Sequence, residues 1–281
     1  MTALAAEGPN AAQISHWNDA AGPTWVATQR ERDQELRPLG LTAMQVLEAR
    51  EGERIIDVGC GCGDTTLELA RRVGPPGQAL GADISAPMLE VARQRANAEG
   101  LAQARFVQVD AQTYDFEPAD GVFSRFGVMF FADPMAAFAN LRKALRPGGR
   151  LAFVCWRALE ENQWISVPMA SLLHLLPAAP ATPPPNAPGP FAFADRERLR
   201  AILAGAGFTD IAIGANDQAI GWGDLATAVR ATLSIGPVAQ VLREHPSLRE
   251  EIAGAIGAAL AAHASPEGVL LDSATWIVRA S

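Results

Sequence analysis

Residues 54–73, Arg-Ile-Ile-Asp-Val-Gly-Cys-Gly-Cys-Gly-Asp-Thr-Thr-Leu-Glu-Leu-Ala-Arg-Arg-Val, decide the fold of this chain. The apolar segment 54–58 predicts a short buried strand, and the segment 65–73 predicts a helix. Three alternating glycines lie between them, at Gly59, Gly61 and Gly63. Because glycine has no Cβ, the backbone of such a turn can approach a ligand closely. A strand, a glycine turn and a helix in this order predict the first unit of a nucleotide-binding α/β fold.

The spacing of the glycines bears on the ligand. Dinucleotide sites have the pattern G-x-G-x-x-G, with the pyrophosphate at the helix N-terminus. Here the third glycine comes one residue early, and Asp64 occupies the dinucleotide position, where its carboxylate would repel a pyrophosphate. Asp57 precedes the turn and suits a ligand with a cation, such as an α-amino group. A tight turn that binds nothing is the alternative interpretation.

Two segments carry a resemblance to a known family. Residues 57–63, Asp-Val-Gly-Cys-Gly-Cys-Gly, resemble the first motif of class I S-adenosylmethionine (SAM) dependent methyltransferases. The turn Leu-Arg-Pro-Gly-Gly-Arg-Leu at 145–151 resembles the one that precedes the fifth strand in that family. The resemblance covers 54–156 in continuous order, and the core is most similar to the ubiquinone/menaquinone C-methyltransferase-like small-molecule enzymes. It implies a Rossmann-like, seven-stranded, mostly parallel sheet with helices on both faces and helical cap insertions. In the resembled family the last strand runs antiparallel, between strands five and six.

Composition sets outer limits on function. The chain has 281 residues, is 49% hydrophobic and carries a formal charge of −8. An acidic chain disfavours nucleic acid or an anionic membrane as a partner. No run of 18 apolar residues is present, and the first residues lack the pattern of a signal peptide, so a cytoplasmic protein is expected. Three cysteines and four scattered histidines predict neither a disulfide framework nor a metal site.

The predicted organisation alternates core and insertion. The segments are an N-terminal helical lid (1–50), a SAM-binding core (51–156), a cap insertion (157–194), a return to the core (195–221), a helical cap insertion (222–266) and a final core strand (267–281). The lid is expected to be helical over 11–50, with breaks at Pro23 and at the turn Arg37–Leu41. Seven prolines between Pro177 and Pro190 predict an extended loop.

Smaller patterns predict individual elements. Further strands are expected at 78–83, 104–109, 120–126, 151–156, 208–213 and, as an edge strand, 275–280, and cap helices at 164–176, 225–235, 237–244 and 247–263. Thr65 with Glu68, and Ser247 with Glu250, have the spacing of a capping box.

Acidic residues mark the ends of two predicted strands. Asp83 can accept hydrogen bonds from both hydroxyls of a ribose. Both SAM and NAD contain such a ribose, so Asp83 does not distinguish them. The alternative role of Asp83 is to cap the following helix. In the resembled family the acidic end of the third strand, here Asp110, faces the adenine amino group. The resemblance implies a SAM site formed by Asp57, Gly59, Cys60, Gly61, Gly63, Asp83, Ile84, Met88, Asp110, Ala111, Gln112, Ser124, Arg125 and Trp25. Trp17 and Trp25 are lid residues that cover SAM or, alternatively, core anchors.

The methyl acceptor is expected beyond the carboxyl ends of the fourth and fifth strands, where open α/β sheets bind ligands. The candidate acceptor contacts are Met129, Trp156, Asn162, Trp164 and His174, and a structural role is the alternative for each. Methyl transfer is an in-line displacement that releases S-adenosylhomocysteine, and holding the reactants in line supplies much of the catalysis. No catalytic residue is therefore assigned.

The function predicted from the sequence is transfer of a methyl group from SAM to an O, N or C atom of a small organic acceptor. Three alternatives stay open. They are a SAM-binding partner or sensor without catalysis, a protein side-chain methyltransferase, and an NAD(P) oxidoreductase. The closed, proline-rich cap argues against the second, and the glycine spacing with Asp64 argues against the third. Monomer and homodimer are equally compatible with the sequence.

Overall fold

The computed structural model describes residues 4–176, 184, 187–234 and 236–281. The helices are α1 (Ala11–Asp19), α2 (Ala21–Ala27), α3 (Gln29–Leu47), α4 (Asp64–Val73), α5 (Ala86–Ala98), α6 (Pro134–Ala144), α7 (Gln163–Leu172), α8 (Arg196–Gly205), α9 (Leu225–Leu233), α10 (Gly236–Glu244) and α11 (Arg249–Ala261). The strands are β1 (Arg54–Val58), β2 (Gln78–Asp83), β3 (Ala104–Gln108), β4 (Ala119–Arg125), β5 (Leu145–Trp156), β6 (Ala212–Gly221), β7 (Ala264–Ser265) and β8 (Gly268–Ala280). Most of the predicted proline-rich loop lies outside the described residues.

The strands form one sheet in the order β3-β2-β1-β4-β5-β8-β6, and the short β7 pairs beside this path with β8. The first five strands of this order are parallel, whereas β8 runs antiparallel to both β5 and β6. This is the expected Rossmann-like fold with its antiparallel last strand. The strand order reverses between β1 and β4, so the carboxyl ends of these strands open a crevice where such sheets bind ligands.

Burial explains why the central strands form. Ile55 and Ile56 of β1 are fully buried, as is Phe123 of β4. Helices cover both faces of a parallel sheet, so its strands are apolar throughout. Phe138 of α6 stacks on Phe153 of β5, with ring centroids 5.5 Å apart, and fixes one helical layer on the sheet.

The lid helix α3 is longer than expected. It continues through Pro38, so the predicted break at the turn Arg37–Leu41 is wrong. A proline inside a helix removes one backbone hydrogen bond. Here the helix buries Leu39, Met44 and Leu47 completely or nearly so, on the sheet side, and this packing outweighs the local loss.

Neither predicted capping box forms. Helix α4 begins at Asp64 after Gly63, and the Thr65 hydroxyl donates a hydrogen bond to Asp57 instead of capping the helix. Helix α11 begins at Arg249, after a 3-10 turn over Pro246–Leu248, without a side-chain cap. The correct spacing alone was therefore insufficient at both places.

The last two long strands differ most from the expectation. β6 lies at 212–221 instead of 208–213, and β8 is an interior strand of 13 residues instead of an edge strand at 275–280. The position of β8 between β5 and β6 is the one that the resemblance implied. β6 is the true edge, so many of its side chains are exposed, and its polar residues hid the strand pattern.

The two insertions pack on each other although they are distant in sequence. α7 of the first insertion packs against α10 and α11 of the second, and α9 packs against α11. Among the described residues no single helix is long and apolar enough to cross a membrane, and one bent pair, α9 with α10, has the length and composition when taken together.

Candidate active site

A cavity of about 380 Å³ lies at the carboxyl ends of the parallel strands. Helices α1 to α3 form one wall, and residues from α7 and α10 form another. Thirteen of the predicted site residues line it, namely Trp25, Gly59, Cys60, Gly61, Asp83, Ile84, Met88, Asp110, Ala111, Arg125, Met129, Trp156 and Trp164. The structure thus brings together most of the predicted cofactor contacts and three of the five predicted acceptor contacts.

The three glycines of the turn differ in their surroundings, although all have positive φ. A Cβ at Gly59 would lie 2.6 Å from the backbone of Gly127, and one at Gly63 would lie 2.9 Å from Ala92 Cβ. Those two glycines are therefore required by packing. A Cβ at Gly61 would have Met88 as its nearest neighbour, at 3.8 Å, so Gly61 is the glycine of the turn whose backbone has free space beside it in the cavity.

Asp83 ends β2 on the cavity wall. One carboxylate oxygen accepts a hydrogen bond from the Gly61 amide at 2.8 Å, and the other accepts one from the Ser85 amide at 2.8 Å. A carboxylate has about four acceptor positions, so two remain for a ligand. Burial raises the pKa of Asp83, and the hydrogen bonds from backbone amides oppose that rise.

Asp110 stands beside the end of β3 and is held by a residue that the sequence did not single out. Asn10, which precedes α1, donates a hydrogen bond to one Asp110 oxygen at 2.8 Å. The side-chain carbonyl of Asn10 accepts a hydrogen bond from the Ala132 amide at 2.7 Å. Asn10 therefore ties the start of the lid to the ends of two strands. An asparagine in front of a helix looks like an ordinary cap, so no local signal distinguishes it.

The lid is attached through polar groups and covers the cavity with aromatic rings. The Ser85 hydroxyl donates a hydrogen bond to the Trp17 carbonyl at 2.8 Å, and Asn18 donates one to the Ile84 carbonyl at 3.0 Å. The Trp17 ring packs edge-on against Trp25 and Phe130. Both tryptophans line the cavity, which agrees with the prediction of a lid.

Asp57 lies beneath the glycine turn and does not line the cavity. One of its oxygens accepts hydrogen bonds from the hydroxyls of Thr65 and Thr66, at 2.7 and 2.6 Å. The other oxygen is buried without a partner among the described residues. Burial raises the pKa of Asp57 to about 6. Its position supports the turn from below, and a ligand ammonium would feel its charge across the turn without contact.

Asp64 is surrounded by arginines. It lies 3.0 Å from Arg37, 2.9 Å from Arg125 and 3.6 Å from Arg95. Arg95 also lies 2.9 Å from Asp33, whose pKa is raised by burial and by the Asp64 charge. Because these cations offset the Asp64 charge, the repulsion of a pyrophosphate that the sequence suggested is weaker than expected. The glycine spacing is what still separates this turn from a dinucleotide site.

A row of aromatic rings leads from the ends of β4 and β5 to the first insertion. Phe126 stacks on Trp156 with centroids 4.2 Å apart, Trp156 lies 5.1 Å from Trp164, and Trp164 stacks on Phe191 at 6.0 Å. The first three line the cavity. Phe126 has a φ of +63°, which is strained for an aromatic residue. Such strain clusters at functional sites.

An ion pair from α3 also borders the cavity. Arg32 and Glu35 are 2.6 Å apart, with side chains only 3% and 6% exposed. Burial raises the pKa of Glu35 to about 7, against the opposing effect of Arg32. The sequence does not predict this buried pair, because Arg and Glu three residues apart are typical of an exposed helix face.

Three predicted cofactor contacts besides Asp57 lie behind the cavity wall. Gly63 packs on α5, and the Ser124 hydroxyl donates a hydrogen bond to the Val58 carbonyl at 2.8 Å. Gln112 accepts one from the Asp133 amide at 3.1 Å. These residues position the turn and the strand ends without lining the cavity.

Two predicted acceptor contacts are also not brought to the cavity. Asn162 is fully buried, and its side chain is bonded to the backbone of Ala158 and Ala274. His174 is exposed on a 3-10 turn after α7. The histidine on the cavity wall is instead His16 of α1. Burial lowers the pKa of His16, and the nearby Arg243 guanidinium lowers it further.

The cysteines and the acidic residues form no metal centre in the described ranges, since no group of three suitable ligands is found there. All three cysteines are free and buried. Burial raises the pKa of the Cys62 thiol to about 12, so this cavity residue stays a neutral thiol. Cys60 and Cys62 therefore serve as small wall residues.

Comparison with known proteins agrees with this geometry. A family model described as a methyltransferase domain matches residues 55–149. Aklanonic acid methyltransferase DauC of a Streptomyces species is 37% identical over 41% of this chain and 54% of its own length. The ubiquinone/menaquinone biosynthesis C-methyltransferase UbiE of Stutzerimonas stutzeri is 42% identical over 37% of this chain and 41% of its own length. The chain thus spans about half the length of these curated relatives.

A solved structure extends the similarity of fold beyond the matched core. Phosphoethanolamine N-methyltransferase 2 of Haemonchus contortus, in complex with S-adenosylhomocysteine, has a TM-score of 0.58 at 17% identity. The match covers 96% of this chain and 60% of that one. At this identity the comparison shows the fold alone. Residues 55–149 match the methyltransferase domain, and the resemblance of the chain to the class I SAM-dependent methyltransferases is confirmed.

Proposed function

We propose that this chain is a SAM-dependent methyltransferase that acts on a small organic acceptor. The observation that carries the proposal is the cavity itself. It runs from the Gly61 turn and Asp83 at one end to the aromatic row at Trp156 and Trp164 at the other. One ligand at the turn and a second ligand at the aromatic row would therefore lie in the same cavity.

The residues at the end of the cavity formed by the Gly61 turn and Asp83 fit SAM. Asp83 and Asp110 offer free acceptor positions for a ribose and an amino group, and Gly61 leaves room for a ligand against the backbone. The lid tryptophans provide an apolar cover. The cofactor supplies an activated methyl group on a sulfonium. The protein's task is to bind and orient the two reactants and to exclude water.

We assign a separate role in ligand binding to each of the predicted segments. Segments 51–156, 195–221 and 267–281 form the core, and the lid at 1–50 closes the SAM end. The insertions at 157–194 and 222–266 close the acceptor end together, which is supported by the packing of α7 on α10 and α11. For the acceptor we propose a small molecule, as for DauC and UbiE, whose names refer to aklanonic acid and to quinones. The three buried free thiols are compatible with the cytoplasm as the proposed compartment.

A SAM-binding protein without catalysis remains the second candidate, because such a protein needs the same first end of the cavity. Isothermal calorimetry with SAM, S-adenosylhomocysteine and NADH tests the cofactor. We expect micromolar affinity for the first two and no heat with NADH. Binding of NADH in place of SAM would contradict the proposal.

Turnover is tested separately. The protein is incubated with methyl-labelled SAM and a small-molecule extract of cells, and the label is followed into the small-molecule and protein fractions. Label in the small-molecule fraction supports the proposal, and label in protein alone points to side-chain methylation. Tight SAM binding without any transfer would favour the sensor.

A further inference from the structure

Arg32 has two side-chain donors without a partner. Its Nη1 pairs with Glu35, and its guanidinium lies over the Trp222 ring, 5.2 Å from the ring centroid. Its Nε and Nη2 are buried and have no hydrogen-bond partner among the described residues. Arg32 is 3% exposed and borders the cavity. A buried charged donor that stays unpaired is costly, so this arrangement needs an explanation.

The two free donors belong to the same edge of the guanidinium. The N–H groups of Nε and Nη2 point in parallel and form the fork that binds two oxygens of a carboxylate side by side. Glu35 occupies the other end of the guanidinium, at Nη1, and Trp222 covers a face. Arg32 is therefore held in place with one bidentate edge that is buried and unpaired among the described residues.

The contact with Trp222 favours the acceptor end as the location of this edge. Trp222, on which the guanidinium lies, directly follows β6, the outermost strand beyond β8. Gly61 and Asp83 follow β1 and β2, on the other side of β4 and β5. Trp164 of the aromatic row likewise has a buried Nε1 that finds no partner in the part of the chain that the structure describes.

We propose that Arg32 binds an oxyanion of the methyl acceptor, a carboxylate or a pair of adjacent enolic oxygens carried on a planar aromatic ring. This inference rests on the proposed function and names the substrate class of its second subsite. The ring packs along Phe126, Trp156 and Trp164, and the oxyanion satisfies the fork of Arg32. Glu35 is a positioning residue that fixes the guanidinium.

The test uses a matched pair of probes that differ only in charge, 2-naphthoate and 2-naphthamide. Calorimetry on the protein loaded with S-adenosylhomocysteine should show 2-naphthoate binding at least about tenfold more tightly, as expected for a charge-assisted pair. Arg32→Met keeps the apolar stem and removes the fork. We expect it to reduce this ratio to below about threefold and to leave the affinity for 2-naphthamide nearly unchanged.

Two further variants separate binding from folding. Arg32→Met leaves Glu35 without its partner, although a carboxyl with a pKa of about 7 can take up a proton. The double variant Arg32→Met/Glu35→Gln removes both charges. It should fold and should also lose the preference for 2-naphthoate over 2-naphthamide, whereas Glu35→Gln alone should keep this preference. Arg196 lies over Trp276 outside the cavity, so Arg196→Met is the matched control and should leave the ratio unchanged.

The carboxylate of the cofactor is the other oxyanion that could reach Arg32. To separate the two sources, S-adenosylhomocysteine is compared with methylthioadenosine, which lacks the amino-acid part. If Arg32→Met weakens S-adenosylhomocysteine alone, the fork binds the cofactor and the proposal is overturned. Equal binding of the two naphthyl probes by the unaltered protein would overturn it as well. Failure to bind S-adenosylhomocysteine at all contradicts the proposed function instead, and the naphthyl comparison is then run on the unliganded protein to decide the role of Arg32.

Discussion

The carboxylate of Asp83 accepts a hydrogen bond from the backbone amide of Gly61, across 2.8 Å. This contact ties the end of β2 to the glycine of the turn that has free space beside it in the cavity. The two residues were predicted as separate cofactor contacts, and the structure makes them one unit. Removing either should therefore affect the same ligand.

Asp83→Ala should lower SAM affinity by about 30- to 1000-fold, since hydrogen bonds to a charged group contribute roughly 1.5–3 kcal/mol each. Contacts to a ribose are equal in the ground state and the transition state, so the loss should appear in the KM for SAM more than in kcat. A SAM titration of initial rates checks this, with circular dichroism as the folding control. An unchanged KM would reduce Asp83 to a support of the turn and of Ser85.

Gly61→Val and Gly59→Ala should fail in different ways. At Gly61 the new side chain has open space and would occupy the cavity, while the φ of +54° is strained for valine. We therefore expect a folded protein with a slightly lower unfolding temperature that no longer binds SAM. At Gly59 even one methyl group would collide with the backbone of Gly127, 2.6 Å away, so we expect a lower unfolding temperature. Thermal unfolding and SAM calorimetry on both variants give the comparison. Normal SAM binding by Gly61→Val would remove the turn from the site.

Trp164→Ala should weaken the acceptor end alone. Trp164 lies between Trp156 and Phe191, and truncation removes the middle of the aromatic row. We expect the dissociation constant for 2-naphthamide to rise at least about tenfold, as for loss of a buried aromatic contact. The affinity for S-adenosylhomocysteine should stay nearly constant, and Trp164→Phe should retain part of the probe affinity. Equal losses for both ligands would indicate that Trp164 supports the core instead.

Asp57 should make stability depend on pH. Its pKa is raised from 3.8 to about 6 in the folded protein, so the folded state holds this proton more tightly than the unfolded state. The resulting stability is fully present below about pH 4 and is lost as the pH rises through 6. A shift of about two units corresponds to roughly 3 kcal/mol.

The measurement is urea unfolding of the unliganded protein and of Asp57→Asn at intervals from pH 4 to pH 8. The difference between the two free energies of unfolding should change by up to about 3 kcal/mol over this range, mostly below pH 7. Taking the difference removes the contributions of Asp33 and Asp83, whose pKa values are also raised. A constant difference would mean that Asp57 is not protonated as its burial indicates.

The features that could be predicted from the sequence are those formed by residues that are contiguous in the chain. β1, the glycine turn and α4 are contiguous, so their pattern predicts both the element order and the cavity-facing Gly61. The position of Asp83 could be predicted because it lies between a predicted parallel strand and the helix that follows. The carboxyl end of such a strand lies at the edge of the sheet where ligands bind. Such local rules gave the fold and thirteen wall residues of the cavity.

What could not be predicted depends on contacts between distant segments. Arg32 and Glu35 have the spacing of a surface ion pair, and only the packing of Trp222 over the guanidinium shows that they are buried. Asn10 resembles a helix cap until Asp110 is brought beside it. His174 was preferred over His16 because its helix was expected at the acceptor, whereas the fold turns it outward. These contacts join residues that are distant in the chain, so no local sequence pattern predicts them.

The interior position of β8 has a consequence for how the chain is made. β5 needs β8 as its neighbour, yet both insertions and β6 are synthesised between them. While the ribosome produces these segments, the apolar edge of β5 has no native partner and is open to wrong strand pairing. The native pairing joins residues far apart in sequence, which slows folding. We therefore expect the nascent chain to depend on a holding chaperone until Gly268–Ala280 has emerged.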